Sequence, residues 1–487
     1  MKTTAYIREA EVFITSLTEE YYQNGAGLKD ALEIVAIYQR HSRLFERESA
    51  AALIADRATR ESRHLAHFAA SGFVENQLRE ATERIGTAET QAVVEWRGDS
   101  IPYRQASILI ANEPDRTRRH DLEQHTAATT AQLNPERVAR LTRAHQIAEE
   151  LGFQDYVEMS DSLAGLHLST LAPAMERLLA DTRARYLQIL DARLSAAAIP
   201  PAEATTGDLT FLRRGQEFDH LFPKHDVVPA LQRTLAGLGI DTEAQPNLTL
   251  DVEERPLKSP RAFCAPVRVP QDVRLVIKPR GGHDDYVAIL HEAGHAEHFA
   301  HVRADAPFAY RYLGDNSITE AYAFLFDGLG RNPRWLRDVM GAREIDDYLS
   351  LIRFTHLLLL RRYAAKLPYE LELHRAPDPS TFGGRYAEGL GDALRLRIWR
   401  QNFLHDLDDW FYCACYLRAW ILEVQLRAAL VDRFGDHWFA AKGAGDFLKE
   451  IWSLGQELSA EELAQRIGYS GLDGSLLITD LLSPIGD

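Results

Sequence analysis

The chain has 487 residues, 46% of them hydrophobic and 26% charged, which excludes a disordered protein and allows one large core or about two to four smaller ones. A formal net charge of −16 disfavours binding to a phosphate backbone, so nucleic acid is not an expected partner. Three cysteines, Cys264, Cys413 and Cys415, do not make a disulfide framework, and no run of about 18 apolar residues offers a membrane span.

No apolar leader follows the charged N-terminus, so the expectation is a cytoplasmic chain with no membrane partner. Helical periodicity dominates from the start. Residues 5–22 place Ile7, Val12, Phe13, Ile14 and Leu17 on roughly one side. Ala-, Leu-, Glu- and Arg-rich stretches continue over 28–70, and amphipathic runs follow at about 77–96, 103–131, 135–151 and 170–197. Ile199-Pro200-Pro201 ends the last of these, because proline lacks a donor and clashes inside a helix.

The texture changes at about 246–279. Alternation in Asn247–Val252 and in Val273–Ile277, with four prolines around them, reads as short strands. Helices resume at about 284. The expected fold is therefore mainly α, with one small β-sheet immediately ahead of the helix that carries the chemistry. No linker or repeat divides the chain. It reads as one domain over 1–487, with a helical part to about 245 and a second part from about 246.

That helix contains His291-Glu292-Ala293-Gly294-His295. Two histidines four apart project from one face, and their ring nitrogens can share one zinc ion. Glu292 leans over the same patch without being forced into the ligand shell, so it can act on a water there. In a helical protein with 18 histidines the pattern also arises on ordinary helix faces.

A catalytic zinc needs a third protein ligand and one open position. His301 stands ten residues after His291, as in the metzincin pattern. A straight helix would carry it about 15 Å along the axis, out of reach. Glu320 is the other candidate, in Asn316–Asp327. As part of Ser317-x-x-Glu320 it could be a capping glutamate at a helix end. Its apolar neighbours Ala321, Ala323, Phe324, Leu325 and Phe326 make a buried helix instead, where a charge needs a partner. Cys413-Ala414-Cys415 lies in an aromatic run and reads as buried thiols. Glu297 and His298 read as non-ligands.

Three segments together are similar to the oligopeptidase F and thimet oligopeptidase family of metallopeptidases. They are Arg261-Ala-Phe-Cys-Ala-Pro266, Val273–Ile277, and Gly281-Gly-His-Asp-Asp-Tyr286 leading into His291-Glu-Ala-Gly-His295. The likeness is strongest over about 260–330 and weaker over 355–375 and 405–430. It implies an elongated multi-helix body with a deep substrate channel and one zinc ion on its floor. It implies Glu320 as the third ligand beside His291 and His295. Asp327, where the family has a second acid, is implied to orient a ligand histidine.

Phe411-Tyr412-Cys413-Ala414-Cys415-Tyr416 resembles the family's aromatic run, with Ala414 replacing its middle tyrosine. By this likeness Tyr412, Tyr416 and His405 are expected to donate to the reacting carbonyl. His405 lies one residue out of register, with Asp406 in its place. Asp284 and Asp285 are expected to favour the positive end of the histidine-bearing helix.

The function so implied is a zinc metalloendopeptidase acting on internal bonds of short unfolded peptides, with Glu292 as general base. An extended peptide would pair with the strand Arg274–Ile277 as an edge. Alternatives are a metallocarboxypeptidase on a related helical fold, or a zinc- or peptide-binding protein without activity. A carboxypeptidase needs an anchor for a terminal carboxylate, and Arg361, Arg362, Arg385 and Arg418 are the candidates.

Overall fold

Few β-branched runs and many Ala, Leu, Glu and Arg residues favour helix. The computed structural model describes residues 3–483 and is mainly α, with twenty α-helices and five strands among the described residues. No described helix is long and apolar enough to cross a membrane.

The first helix, Thr3–Gly25, buries Tyr6, Ala10, Phe13 and Tyr22. Val12, expected on the inner side, is 54% exposed. Two long helices follow, Arg60–Gln91 and Arg116–Glu150. The helix expected to reach residue 96 stops at Gln91. Strands β1 (Val93–Trp96) and β2 (Asp99–Pro102) form a hairpin there, so the chain has a second sheet beyond the one anticipated. Arg97 and Gly98, both with positive φ, make its two-residue turn. Val94, Trp96 and Ile101 are buried under it with Tyr103, Ile110 and Leu122. The break expected before Pro135 is absent, because one helix runs through it. Burial of Leu141, Ala144 and Ile147 along that helix offsets the single hydrogen bond that a proline removes.

The main hydrophobic core draws side chains from both halves of the chain, from Tyr6 and Phe73 to Tyr286, Phe326 and Trp420. A second core gathers Tyr186, Leu190, Leu358, Tyr369 and Tyr386 from the helices Leu168–Ala196, Asp346–His374 and Gly383–Leu394.

The sheet ahead of the motif has three strands, β3 (Leu248–Asp251), β4 (Phe263–Arg268) and β5 (Asp272–Val276), in the order β3-β5-β4. β5 pairs parallel with β3 and antiparallel with β4. The strand expected to offer an edge is thus the central one, with both sides taken. β4 is the edge strand nearest the motif. The sequence hides it because Pro266 interrupts its alternation, and proline is tolerated in such an edge strand.

The histidine helix, His283–His301, follows directly. Asp285, in its first turn, accepts the backbone N–H groups of Arg280 and Gly281 and so fixes the preceding turn. The glutamate helix, Asn316–Asp327, packs against it with every residue from Ser317 to Asp327 buried. Asp315 caps this helix through the Ser317 amide and is held by Arg418, whose guanidinium also bonds the Ser317 hydroxyl. Glu320 is therefore free of the capping role that Ser317-x-x-Glu320 allows. The two helices touch backbone to backbone at Gly294, where an added Cβ would stand 2.6 Å from both Ala323 Cα and the Tyr322 carbonyl oxygen.

Gly294→Ala tests that contact, since alanine alone would gain about 1 kcal/mol as a helix former. Overpacking against rigid backbone outweighs this, so urea denaturation is expected to show a net loss of about 1–3 kcal/mol. A stabilised variant would show that the helices do not meet there.

Candidate metal centre

Helical spacing puts His291 and His295 on one face, their ring centroids 4.9 Å apart. The glutamate helix brings Glu320 over them. Its Oε2 lies 3.5 Å from His291 Nε2 and 3.8 Å from His295 Nε2. A tetrahedral ion with bonds of about 2.0–2.1 Å separates its ligand atoms by roughly 3.3–3.4 Å, so these spacings fit one zinc with little adjustment. Glu320 Oε2 is buried without a hydrogen-bond partner among the described residues, which is costly unless a cation meets it.

The outer nitrogens of both histidines are held. His291 Nδ1 is 3.0 Å from Asp327 Oδ2, in the orienting role expected of that acid. His295 Nδ1 is 2.8 Å from Thr319 Oγ1. Thr319 was not read from the sequence, and only its position beside Glu320 could have suggested it. Each ring is left with Nε2 toward Glu320. The Tyr412 hydroxyl donates to Glu320 Oε1 at 2.7 Å, so its proton is committed to orienting that carboxylate.

Glu292 stands outside the trio. Its Oε2 accepts the backbone N–H of Cys264 at 2.8 Å. That amide points away from β5, from the free edge of β4, so strand and histidine helix are tied together beside the trio. Tyr416 lies one turn after Tyr412 with ring centroids 5.0 Å apart, and also faces Phe324. Its hydroxyl makes no hydrogen bond among the described residues.

Burial pushes the Tyr416 phenol up, and the carboxylates of Glu320 and Glu292 add to this, so it keeps its proton for donation. Burial also raises Glu292, against the opposing pull of His291 and the Cys264 amide. For His291 burial acts downward, but the hydrogen bond and charge of Asp327, with Glu320 and Glu292, lift it to about 9. His295 lies well below its ordinary value, from burial and from the charge of His291.

Other expected residues fall elsewhere. His405 Nδ1 lies 3.2 Å from Arg137 and its ring faces Tyr103, with no contact to the trio. His301 ends an unbroken helix, its Nδ1 on the Glu297 carbonyl. Glu297 and His298 are buried away from the trio. Cys413 and Cys415 are buried free thiols. A second cluster of potential ligands, Glu370, Asp408 and Cys413, surrounds Lys366, whose ammonium lies 2.7 Å from Asp408 and 3.5 Å from Glu370. That lysine already supplies the cation. The four arginines considered as carboxylate anchors are all engaged: Arg361 by backbone carbonyls and Thr182, Arg362 by Asp406, Arg385 by Glu372, and Arg418 by Asp315 and Glu461. Comparison with protein-family models and with curated proteins returns no match.

Zinc requires a neutral imidazole, whereas the metal-free His291 keeps its proton until about pH 9. Zinc binding at neutral pH is expected to release a proton, and affinity should rise with pH up to about 9. Calorimetry in buffers of different ionisation enthalpy measures that release. Asp327→Asn should weaken zinc binding about 10- to 100-fold and reduce the proton release. His405→Ala should leave zinc affinity unchanged.

Proposed function

We propose that this chain is a zinc-dependent endopeptidase that hydrolyses internal bonds of short, unfolded peptides. The observation that carries the reading is Glu292, a half-buried carboxylate beside a three-ligand cluster but outside it. A structural zinc site closes with four protein ligands. Three ligands leave a position open, and a neighbouring carboxylate is then available for proton transfer.

His291, His295 and Glu320 would hold the ion, which supplies Lewis-acid activation of water and of the peptide carbonyl. Glu292 accepts the proton of the attacking water and delivers it to the leaving amine. The Cys264 amide fixes one of its oxygens, and no hydrogen bond among the described residues holds the other. A carboxyl raised by burial suits a group that must both take and return a proton. Tyr416, protonated and unengaged, donates to the oxyanion of the tetrahedral intermediate. Tyr412 keeps Glu320 in place instead.

The free edge of β4 passes Glu292. An extended peptide added to that edge would be gripped through its backbone, which suits broad sequence preference. Internal cleavage is favoured over removal of terminal residues because each candidate anchor for a terminal carboxylate is already paired. The deep channel implied by the family resemblance belongs to this proposal too, and it would restrict substrates to unfolded chains.

Glu292→Gln separates the chemistry from the metal. Zinc content should stay at the wild-type level while kcat on a quenched fluorescent peptide falls by at least about 10²-fold. Mass spectrometry of a digested peptide series should show internal fragments. Cleavage at the wild-type rate by a zinc-loaded Glu292→Gln protein would refute the assignment.

A further inference from the structure

The helix Tyr412–Phe434 begins at a strained turn. Trp410 and Phe411, successive residues, both take the left-handed conformation, with φ of 57° and 53°. A side chain disfavours that region, and two neighbouring aromatic residues keep it only where the surroundings force it.

The surroundings do so from several helices. The Trp410 N–H donates to the Tyr156 hydroxyl at 2.9 Å. Arg140 donates to both carboxylate oxygens of Asp409, at 2.9 and 2.6 Å. Phe411 itself is fully buried.

One carboxylate spans the turn. Glu370, on the helix Asp346–His374, is fully buried. Its Oε1 accepts the backbone N–H of Asp408 at 3.1 Å, ahead of the strained pair. Its Oε2 accepts the Cys413 thiol at 2.9 Å, just after that pair. Burial, then the charge of Glu370, push this thiol up, so it keeps the proton it donates. Lys366, also buried and one turn earlier on the helix, lies 2.7 Å from the Asp408 side chain and 3.5 Å from Glu370. A buried ion pair adds little net stability over apolar residues of the same volume. It does fix the place of what it bonds, and here that is both ends of the turn.

Next to Cys413 stands Tyr412, whose hydroxyl donates to Glu320 Oε1 at 2.7 Å. Cys413 is thus turned to Glu370 on one helix and Tyr412 to Glu320 on another. We propose that Glu370 is a positioning residue for the metal centre: by closing the turn between Asp408 and Cys413, it sets the place of Tyr412 and, through it, of Glu320. Without that closure the turn relaxes toward ordinary φ, and the Tyr412 hydroxyl moves off the carboxylate. The inference rests on the zinc centre and not on peptide cleavage.

Zinc affinity of the full chain, measured by competition with a chromophoric chelator, tests this. Tyr412→Phe should weaken binding about 10- to 100-fold, as for other groups that orient a ligand. Glu370→Gln, which can accept at one end only, should weaken it at least about fivefold, and should add no further loss in a Tyr412→Phe protein. Should Glu370→Gln fold poorly, Cys413 decides. Cys413→Ala should bind zinc about threefold more weakly, whereas Cys413→Ser, which still donates to Glu370, should match the wild type. A general loosening of the fold would neither be restored by serine nor vanish in the Tyr412→Phe background. Wild-type affinity in a folded Glu370→Gln or in Cys413→Ala would overturn the proposal. So would equal losses in Cys413→Ala and Cys413→Ser, or an undiminished further loss from Glu370→Gln in Tyr412→Phe. A wild type that binds no zinc would instead overturn the metal centre, and this proposal with it.

Discussion

Two helices approach until backbone meets backbone at Gly294 and Ala323, and the candidate centre depends on that approach. A side chain at 294 would hold the helices apart. Glu320 would then lose its position at 3.5–3.8 Å from two imidazoles. The contact is short because Gly294 has no Cβ and the glutamate helix is buried from Ser317 to Asp327 against its neighbours. The buried Arg418–Asp315 pair then fixes where that helix starts. Breaking such a pair costs more than its net worth, because one buried charge is left alone, so the register of Glu320 is firmly set.

Electrostatics completes what packing begins. Three carboxylates, Glu292, Glu320 and Asp327, are gathered around two histidines in a largely buried place. Burial raises Glu292 and Glu320, and the field of the carboxylates lifts His291 to about 9 in the absence of metal. The site is built for more positive charge than the protein supplies, which is the condition a divalent ion meets. The contrast is the Glu370–Asp408–Cys413 cluster, where Lys366 provides the charge internally.

How much was legible followed from range. Local patterns gave the helical character, the His291–His295 spacing and the strand before it, because each is set within a few residues. Glu320 needed the apolar context of its helix together with the family resemblance, and Asp327 came from that resemblance. The role of Thr319 was not legible, since nothing in a lone threonine distinguishes a hydroxyl turned toward an imidazole. The position of β5 at the centre of its sheet was hidden, because alternation reveals a strand but not its neighbours. The β1–β2 hairpin was absorbed into a helical run because only Arg97-Gly98 marks its turn. His405 looked eligible by its distance from the tyrosines along the chain. The turn between them carries it to Arg137 in the other half of the chain.

Elemental analysis of the purified protein, with Glu320→Ala and His301→Ala beside it, tests the central claim most directly. One zinc per chain in the wild type and in His301→Ala, with loss in Glu320→Ala, is the predicted result. Full zinc in Glu320→Ala, or its loss in His301→Ala, would contradict a centre made by two histidines and a glutamate from the neighbouring helix.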